Sequence, residues 1–218
     1  MRENGASVHS LHGCVVKLER VRARISADLH DDIGASLSEI FVLSEVARTH
    51  LDEAHPAAVG SLAEITTISR ELMDSMSDMV WVINPRYDHL NDLVARVRRF
   101  AGDILGSRDI RLQFHGPDAG EDPLLSAEVR RHFLLIAKEA VNNIARHSGA
   151  TEARIDFGLH TRCLKLRVSD NGRGLDGAAC QMGNGLANIR RRATWLGGSA
   201  ELRASPGEGT VITVIAPF

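Results

Sequence analysis

Apolar residues recur at steps of mostly three and four through Leu18, Val21, Ile25, Leu29, Ile33, Leu37, Ile40, Ala47 and Leu51. That period predicts a long amphipathic helix over roughly residues 16 to 51. The stretch "DEAHPAAVG" supplies a turn, and a second periodic run follows through Leu62, Ile65, Ile68, Leu72, Met76, Met79 or Val80, and Ile83. It stops at Asn84, which Pro85 biases away from helix. Asp88 then stands where it can cap a further helix through Leu90, Leu93, Val97, Phe100 and Ile104. Two long helices joined by a short turn form an antiparallel hairpin whose apolar stripes neither helix covers alone. A second copy covers both, so the pattern predicts a homodimer built on a four-helix bundle.

The pattern changes after about residue 108. "IRLQFHG" reads as a strand, and "SAEVRRHFLLIAKEAVNNIARHS" as a helix capped by Ser126. "EARIDFGLH" and "CLKLRVSD" are strands, followed by the glycine-rich "NGRGLDGAACQMGNG". A helix at "LANIRRRATWLGG" and strands at "SAELRAS" and "GTVITVIAPF" close the chain. The expected fold class is α+β: a helical hairpin, then an α/β sandwich with helices packed on one face of a mixed sheet. The expected divisions are an N-terminal tail at 1–13, a helical domain at 14–107 and an α/β domain at 108–218.

Composition narrows the function classes. With 44% hydrophobic and 25% charged residues over 218 positions, the chain is long enough to bury one large or two small cores. A formal net charge of -2 gives no general electrostatic case for binding nucleic acid or an anionic membrane. Cys14, Cys163 and Cys180 are far apart and form no metal or redox spacing, which favours reduced thiols in the cytoplasm. No apolar run approaches the ~20 residues of a membrane helix. The first residues lack a signal-peptide core. The expectation is a cytoplasmic segment without membrane contact of its own, with room upstream for a sensor or membrane domain.

Four short motifs in the second half carry candidate chemistry. In "KEAVNNIARHS", Glu139 and Asn143 share a helix face and offer hard oxygen ligands suited to Mg²⁺. Arg146 and His147, a turn later, could reach a polyphosphate. In "SDNGRG", Asp170 ends an apolar strand where it can accept a hydrogen bond from an exocyclic amine such as that of adenine, and Gly172 and Gly174 permit close backbone approach. In "GNGLANI", Gly183 and Gly185 precede Leu186 and would leave N–H groups free for phosphate at a helix start. In "GEGT", Thr210 offers a hydroxyl before the last strand. Taken singly, each is also what a solvated helix face, a surface turn or a hairpin looks like.

Their order is the informative feature. Residues 108 to 218 resemble the ATP-binding domain of the histidine kinase, gyrase, Hsp90 and MutL superfamily, and the four motifs resemble its N, G1, G2 and final glycine boxes. The resemblance implies ATP in a pocket under a lid at about residues 173 to 185. It implies Mg²⁺ on Asn143 with Glu139 in support, and adenine read by Asp170.

With that domain downstream, "ERVRARISADLHDDIGASLSEI" resembles the phosphoacceptor segment of sensor histidine kinases of the His-Asp subfamily. The resemblance implies phosphorylation of His30 and transfer to the receiver domain of a response regulator, typically one with a helix-turn-helix output. Physically, His30 lies about 60° from Ile33 around the helix, at the border of the apolar stripe. A neutral imidazole there has a nitrogen free to attack phosphorus, and Asp31 can hold the other nitrogen.

One departure stands out. Members of this subfamily commonly carry glutamine five residues after the acceptor, and other families an amide or hydroxyl at the fourth; this chain has Gly34 and Ala35, with Ser36 a further 100° around. The leading expectation is an ATP-dependent protein-histidine kinase. The alternatives are a dimeric pseudokinase or interaction module that gates a partner without phosphotransfer, and a clamp ATPase.

Overall fold

The computed structural model describes residues 21–22, 33–50, 56–118, 120–174 and 184–218. It forms two compact units, Met1–Tyr87 and Asp88–Phe218.

The first unit is a helical hairpin of α1 (Gly34–His50) and α2 (Pro56–Ile83). Cross-contacts run in opposite directions along the two helices: Ser38 Oγ reaches Met73 Sδ at 3.5 Å, and the Arg70 guanidinium lies 5.0 Å from the Phe41 ring centre. Val21 and Arg22 are helical as well, and Arg22 Nε donates to the Ile83 carbonyl at 3.0 Å. The acceptor candidates His30 and Asp31 lie outside the described residues. The residues buried between the helices include small hydroxyls, Ser44, Thr66 and Ser69, and Ser44 Oγ donates to the Ile40 carbonyl at 2.7 Å. The apolar stripe faces outward, with Ile40, Ile65, Ile68, Leu72 and Met79 each exposed in the single chain.

The second unit is a two-layer α/β sandwich. Its sheet has the order β1 (Arg111–His115), β2 (Glu152–His160), β3 (Cys163–Asp170), β5 (Gly209–Pro217), β4 (Ser199–Ser205). β1 and β2 are parallel and the remaining neighbours antiparallel. Register aligns the buried positions into rows across the strands: Ile155 opposite Val168 opposite Ile212, and Phe157 opposite Leu166 opposite Val214. Alternation puts Arg154, Lys165 and Arg167 on the other face, in solvent. Helices α3 (Leu90–Gly106), α4 (Ala127–Asn143) and α5 (Asn184–Trp195) cover the apolar rows. α4 is capped by Ser126, whose hydroxyl accepts from the Val129 N–H at 3.3 Å.

Two expectations need correcting. The helix read as the last of the first domain belongs to the second unit. Leu90, Leu93, Val97, Ala101 and Leu105 are fully buried, and α3 packs on α4 and β1. The division therefore falls at Tyr87/Asp88 rather than at 107/108. Asp88 also does not cap α3. His89 is the N-cap, its N–H bonded to Asp92 Oδ2 at 3.2 Å, while the Asp88 carboxylate pairs with the fully buried Arg130 guanidinium. A buried arginine is tolerable only with such a partner. The pair ties the start of α3 to α4, and the Asp88 carbonyl accepts from Leu125 N at 2.7 Å.

Candidate functional site

The final turns of α4 do not run straight. After Asn143 the chain widens into a π turn, Ile144–Ser148, which ends at Gly149 in the left-handed conformation. Such widened turns collect at functional sites because they re-aim side chains on a helix face. Here Arg146 and His147 are exposed at the rim of a cavity of about 500 Å³, and Glu139 and Asn143 form part of its wall. That volume suits a drug-sized or nucleotide-sized ligand.

The floor is the end of the sheet. Val168 and Ile212 are cross-strand partners that supply an apolar surface, and Asp170 stands beyond them at the end of β3. The Asp170 carboxylate accepts from the Gly172 N–H at 2.9 Å and also from the Thr210 N–H. Burial pushes its pKa above the usual carboxylate value, and those two N–H groups partly offset the rise. A half-buried acceptor beside a flat apolar patch is the arrangement a planar, amine-bearing ring requires.

The loop after β3 is stitched on both sides. Arg173 N donates to the Ser148 carbonyl at 2.9 Å, and Gly207 N donates to the Arg173 carbonyl at 2.8 Å. The π turn, the β3 loop and the β4–β5 hairpin are thus fixed to one another. Gly209 makes this possible: its φ is +79°, and a side chain there would run into the Asp170 carbonyl. At the opposite wall Gly185 opens α5, and a Cβ on it would collide with the Glu139 carboxylate and stand 3.3 Å from Asn143 Nδ2. Backbone, carboxylate and amide therefore converge at the start of α5.

Of the residues expected from sequence, Glu139, Asn143, Arg146, His147, Asp170, Gly174, Gly185, Leu186 and Thr210 line this one cavity. Gly172 does not line it. It packs against the Ser148 backbone, where a Cβ would clash, so its part is to let the β3 loop close onto the π turn. Gly183 lies outside the described residues, as does most of the expected lid. Sequence reading missed Val168, Ile212, Ser148 and Arg173, which also line the cavity.

Comparison with known proteins agrees with this geometry. A family model described as histidine kinase matches residues 21–88, a span that includes His30 and ends at the division between the two units. A second, described as histidine kinase-, DNA gyrase B- and HSP90-like ATPase, matches residues 128–218, which hold every wall of the cavity. The chain belongs to the histidine kinase family. Its relatives include the sensor histidine kinase LiaS of Bacillus subtilis, 25% identical over 90% of this chain and 54% of LiaS. The sensor protein VraS of Staphylococcus haemolyticus is 27% identical over 92% of this chain and 56% of its own length. The histidine-protein kinase/phosphatase UhpB of Salmonella typhimurium is 28% identical over 91% and 39%. The chain thus spans about half or less of the length of these curated relatives. Among solved structures, the histidine kinase domain of the Erythrobacter litoralis EL346 blue-light activated kinase superposes with a TM-score of 0.53 at 16% identity. That superposition covers 84% of this chain and 94% of that one, and it shows the shared fold.

The histidine kinase core binds ATP through the second matched region. Its residues also fit a magnesium ion. Among the described residues no cluster of three or more carboxylate, histidine or cysteine side chains exists to form an all-protein cage. Glu139 and Asn143 supply two hard donors on adjacent turns, the number Mg²⁺ takes when waters and phosphates complete its shell. Among the described residues, no helix is long and apolar enough to cross a membrane.

Proposed function

We propose that this chain is the catalytic core of a dimeric sensor histidine kinase, which phosphorylates His30 from ATP and passes the phosphoryl group to an aspartate of a response-regulator receiver. The observation that carries the reading is the convergence of Glu139, Asn143, Asp170, Gly185 and Thr210 on one cavity, in a chain whose other unit matches the histidine kinase model across His30. Asp170 accepts the exocyclic amine of adenine, and Val168 and Ile212 lie against the ring. Arg146 and His147 at the rim, with the N–H groups at the start of α5, hold the phosphates. Asn143, supported by Glu139, holds Mg²⁺, which when bound neutralises charge on the phosphate oxygens.

In the chemical step a neutral His30 nitrogen attacks the γ-phosphorus. The N–P bond forms as the bond to the β-phosphate oxygen breaks, and ADP leaves. Asp31 holds the other ring nitrogen and stabilises the imidazolium as charge develops. The receiver carboxylate then takes the phosphoryl group and frees His30. The outward apolar stripe of α1 and α2 supports the homodimer, because a second hairpin is the surface that would bury it. We place this segment on the cytoplasmic side of a longer sensor, the regulator being one with a helix-turn-helix output.

Incubation with γ-labelled ATP separates this reading from its rivals. A kinase takes up acid-labile phosphate at His30, which chases into a receiver. A pseudokinase takes up none, and a clamp ATPase releases free phosphate without labelling the protein. Either of the last two results overturns the proposal.

A further inference from the structure

A helix that widens by one residue gives up part of its regular bonding, so the π turn Ile144–Ser148 needs something to hold it. In an α-helix the Ile144 carbonyl would take the N–H four residues on, that of Ser148. Across a π turn the pairing shifts to the fifth residue. Here the Ser148 hydroxyl donates to the Ile144 carbonyl at 2.8 Å and accepts the Ala150 N–H at 3.0 Å. Both roles are forced, since a carbonyl only accepts and an N–H only donates. Both bonds are buried, where the loss of a partner is costly. Hydroxyls that bond back to a carbonyl four residues earlier bend helices.

Ser148 follows Arg146 and His147 directly, and its carbonyl accepts the Arg173 N–H at 2.9 Å. Its hydroxyl therefore joins the last turn of the helix to the approach of β2, while its backbone holds the β3 loop. A second side chain braces the same region from the other side. Asn171 Oδ1 accepts the Thr151 and Glu152 N–H groups at 3.0 and 2.9 Å, and Asn171 Nδ2 donates to Thr151 Oγ1 at 3.0 Å. The two braces differ in what they hold. Asn171 ties the end of β3 to the start of β2, whereas Ser148 ties the turn on which Arg146 and His147 stand.

Ser148 lines the cavity, yet its one proton is committed to the Ile144 carbonyl. Phosphate oxygens accept hydrogen bonds, so the hydroxyl has nothing left to give them. Its influence on a nucleotide must pass through the residues it aims. We infer that Ser148 is a positioning residue for the nucleotide phosphates: its hydroxyl holds the π turn in the shape that keeps Arg146 and His147 at the phosphate rim. This rests on the reading of those two residues as phosphate contacts and adds the group that sets their geometry. Charge-assisted hydrogen bonds are short and directional, so a turn that relaxes withdraws them.

The test uses the full chain with Ser148→Ala and measures affinity for ATP and for adenosine, which has the same base and ribose but no phosphate, by displacement of a fluorescent nucleotide. The expected result is ATP affinity lowered roughly tenfold, with adenosine affinity within about twofold of wild type. Ser148→Cys keeps the volume and a weak S–H donor, and should show the same selective loss in smaller measure even if Ser148→Ala does not fold. Asn171→Ala should lower the melting temperature and leave the ratio of ATP to adenosine affinity unchanged. In a chain already carrying Arg146→Ala and His147→Ala, adding Ser148→Ala should cost no further ATP affinity.

Ser148 variants that lose ATP and adenosine in equal proportion overturn the inference and make the hydroxyl a prop of the whole cavity. So does the same selective loss in Asn171→Ala, or a Ser148→Ala effect that persists in full without Arg146 and His147. A wild type that binds ATP no better than adenosine removes the phosphate-contact reading, and this inference with it. An unchanged ratio in Arg146→Ala with His147→Ala does the same. A wild type that favours ATP while the Ser148 variants keep its ratio removes the inference alone.

Discussion

The two units solve the same packing problem in opposite ways. The second buries the apolar face of its sheet under its own helices, with Phe133, Ile155, Leu164 and Val214 fully or almost fully inaccessible. The first leaves Ile65, Ile68, Leu72 and Met79 in solvent while it encloses Ser44, Thr66 and Ser69 between its helices. A domain complete in itself can rotate, bind ligand and release it without losing its core. A hairpin whose apolar side faces out is complete only when another surface meets it. On the proposed reading, the contrast gives ligand chemistry to one unit and assembly to the other.

The strongest way to break that contrast is to charge the outer stripe. Ile68→Asp with Leu72→Asp should turn the proposed dimer into a single chain and melt the hairpin, a loss of several kcal/mol of association on the usual scale for buried aliphatic anchors. Sedimentation would report a mass near 23.7 kDa. The thermal transition of the second unit and its ATP affinity should stay as in the wild type. A dimer that survives both changes would refute the outward stripe as its interface.

A smaller effect is expected at the convergence point of the cavity. Gly185→Val puts a branched side chain into the Glu139 carboxylate, an overpacking cost of about 1–3 kcal/mol, or roughly 5- to 150-fold in ATP affinity. Calorimetry checks it, and wild-type affinity would mean that α5 can move away from α4 without consequence. Asn143→Asp should lose Mg²⁺-dependent ATP binding or turnover, because the added charge alters a site that already faces the triphosphate.

Acidification should act on binding and on folding in opposite directions. The Asp170 pKa is raised in the folded state by burial. Ionising it therefore costs folding energy, so its contribution to the stability of the ligand-free unit is largest below the ordinary carboxylate value. That contribution declines as pH rises through the raised value. Adenine binding needs the ionised acceptor and should weaken as pH falls through that same window, beginning above the range of an ordinary aspartate. Parallel titrations of ATP affinity and ligand-free melting temperature test the pair; Asp170→Asn should flatten both profiles across that window. Profiles that move together would remove Asp170 as the cause.

Much of this was legible from the residues themselves. The apolar pattern located all five strands and every α-helix described, because burial on one face imposes a local period. What periodicity cannot reveal is which surface a helix meets. Leu90, Leu93 and Val97 form the same stripe whether they face α2 or α4, so α3 was placed with the wrong unit. Asp88 reads as a cap because its partner Arg130 is distant in the chain and nothing nearby signals the pair. Val168 and Ile212 look like any alternating strand residues, so their place on the cavity floor emerges only from register. Glu139, Asn143, Asp170 and Gly185 were legible because a nucleotide site needs carboxylate, amide and glycine at fixed points of helix and loop. The π turn that re-aims Arg146 and His147 leaves no comparable trace.

The smallest expected effect lies in the first unit. Gly34 and Ala35 lack the side-chain group that would orient a water for dephosphorylating a regulator. Decay of a purified phospho-regulator, with ADP and this protein present, should run near its unassisted rate, and Ala35→Gln should speed it. Strong acceleration by the unmodified chain would assign the water to Ser36 or to a group elsewhere.

The division of labour between the units is tested most directly by His30→Gln, assayed at once for ATP affinity by calorimetry and for acid-labile phosphate with γ-labelled ATP. The account predicts wild-type affinity and no label, since the cavity is built wholly within the second unit and the acceptor lies in the first. Acid-labile phosphate retained at another residue, or ATP binding lost together with the label, would contradict it.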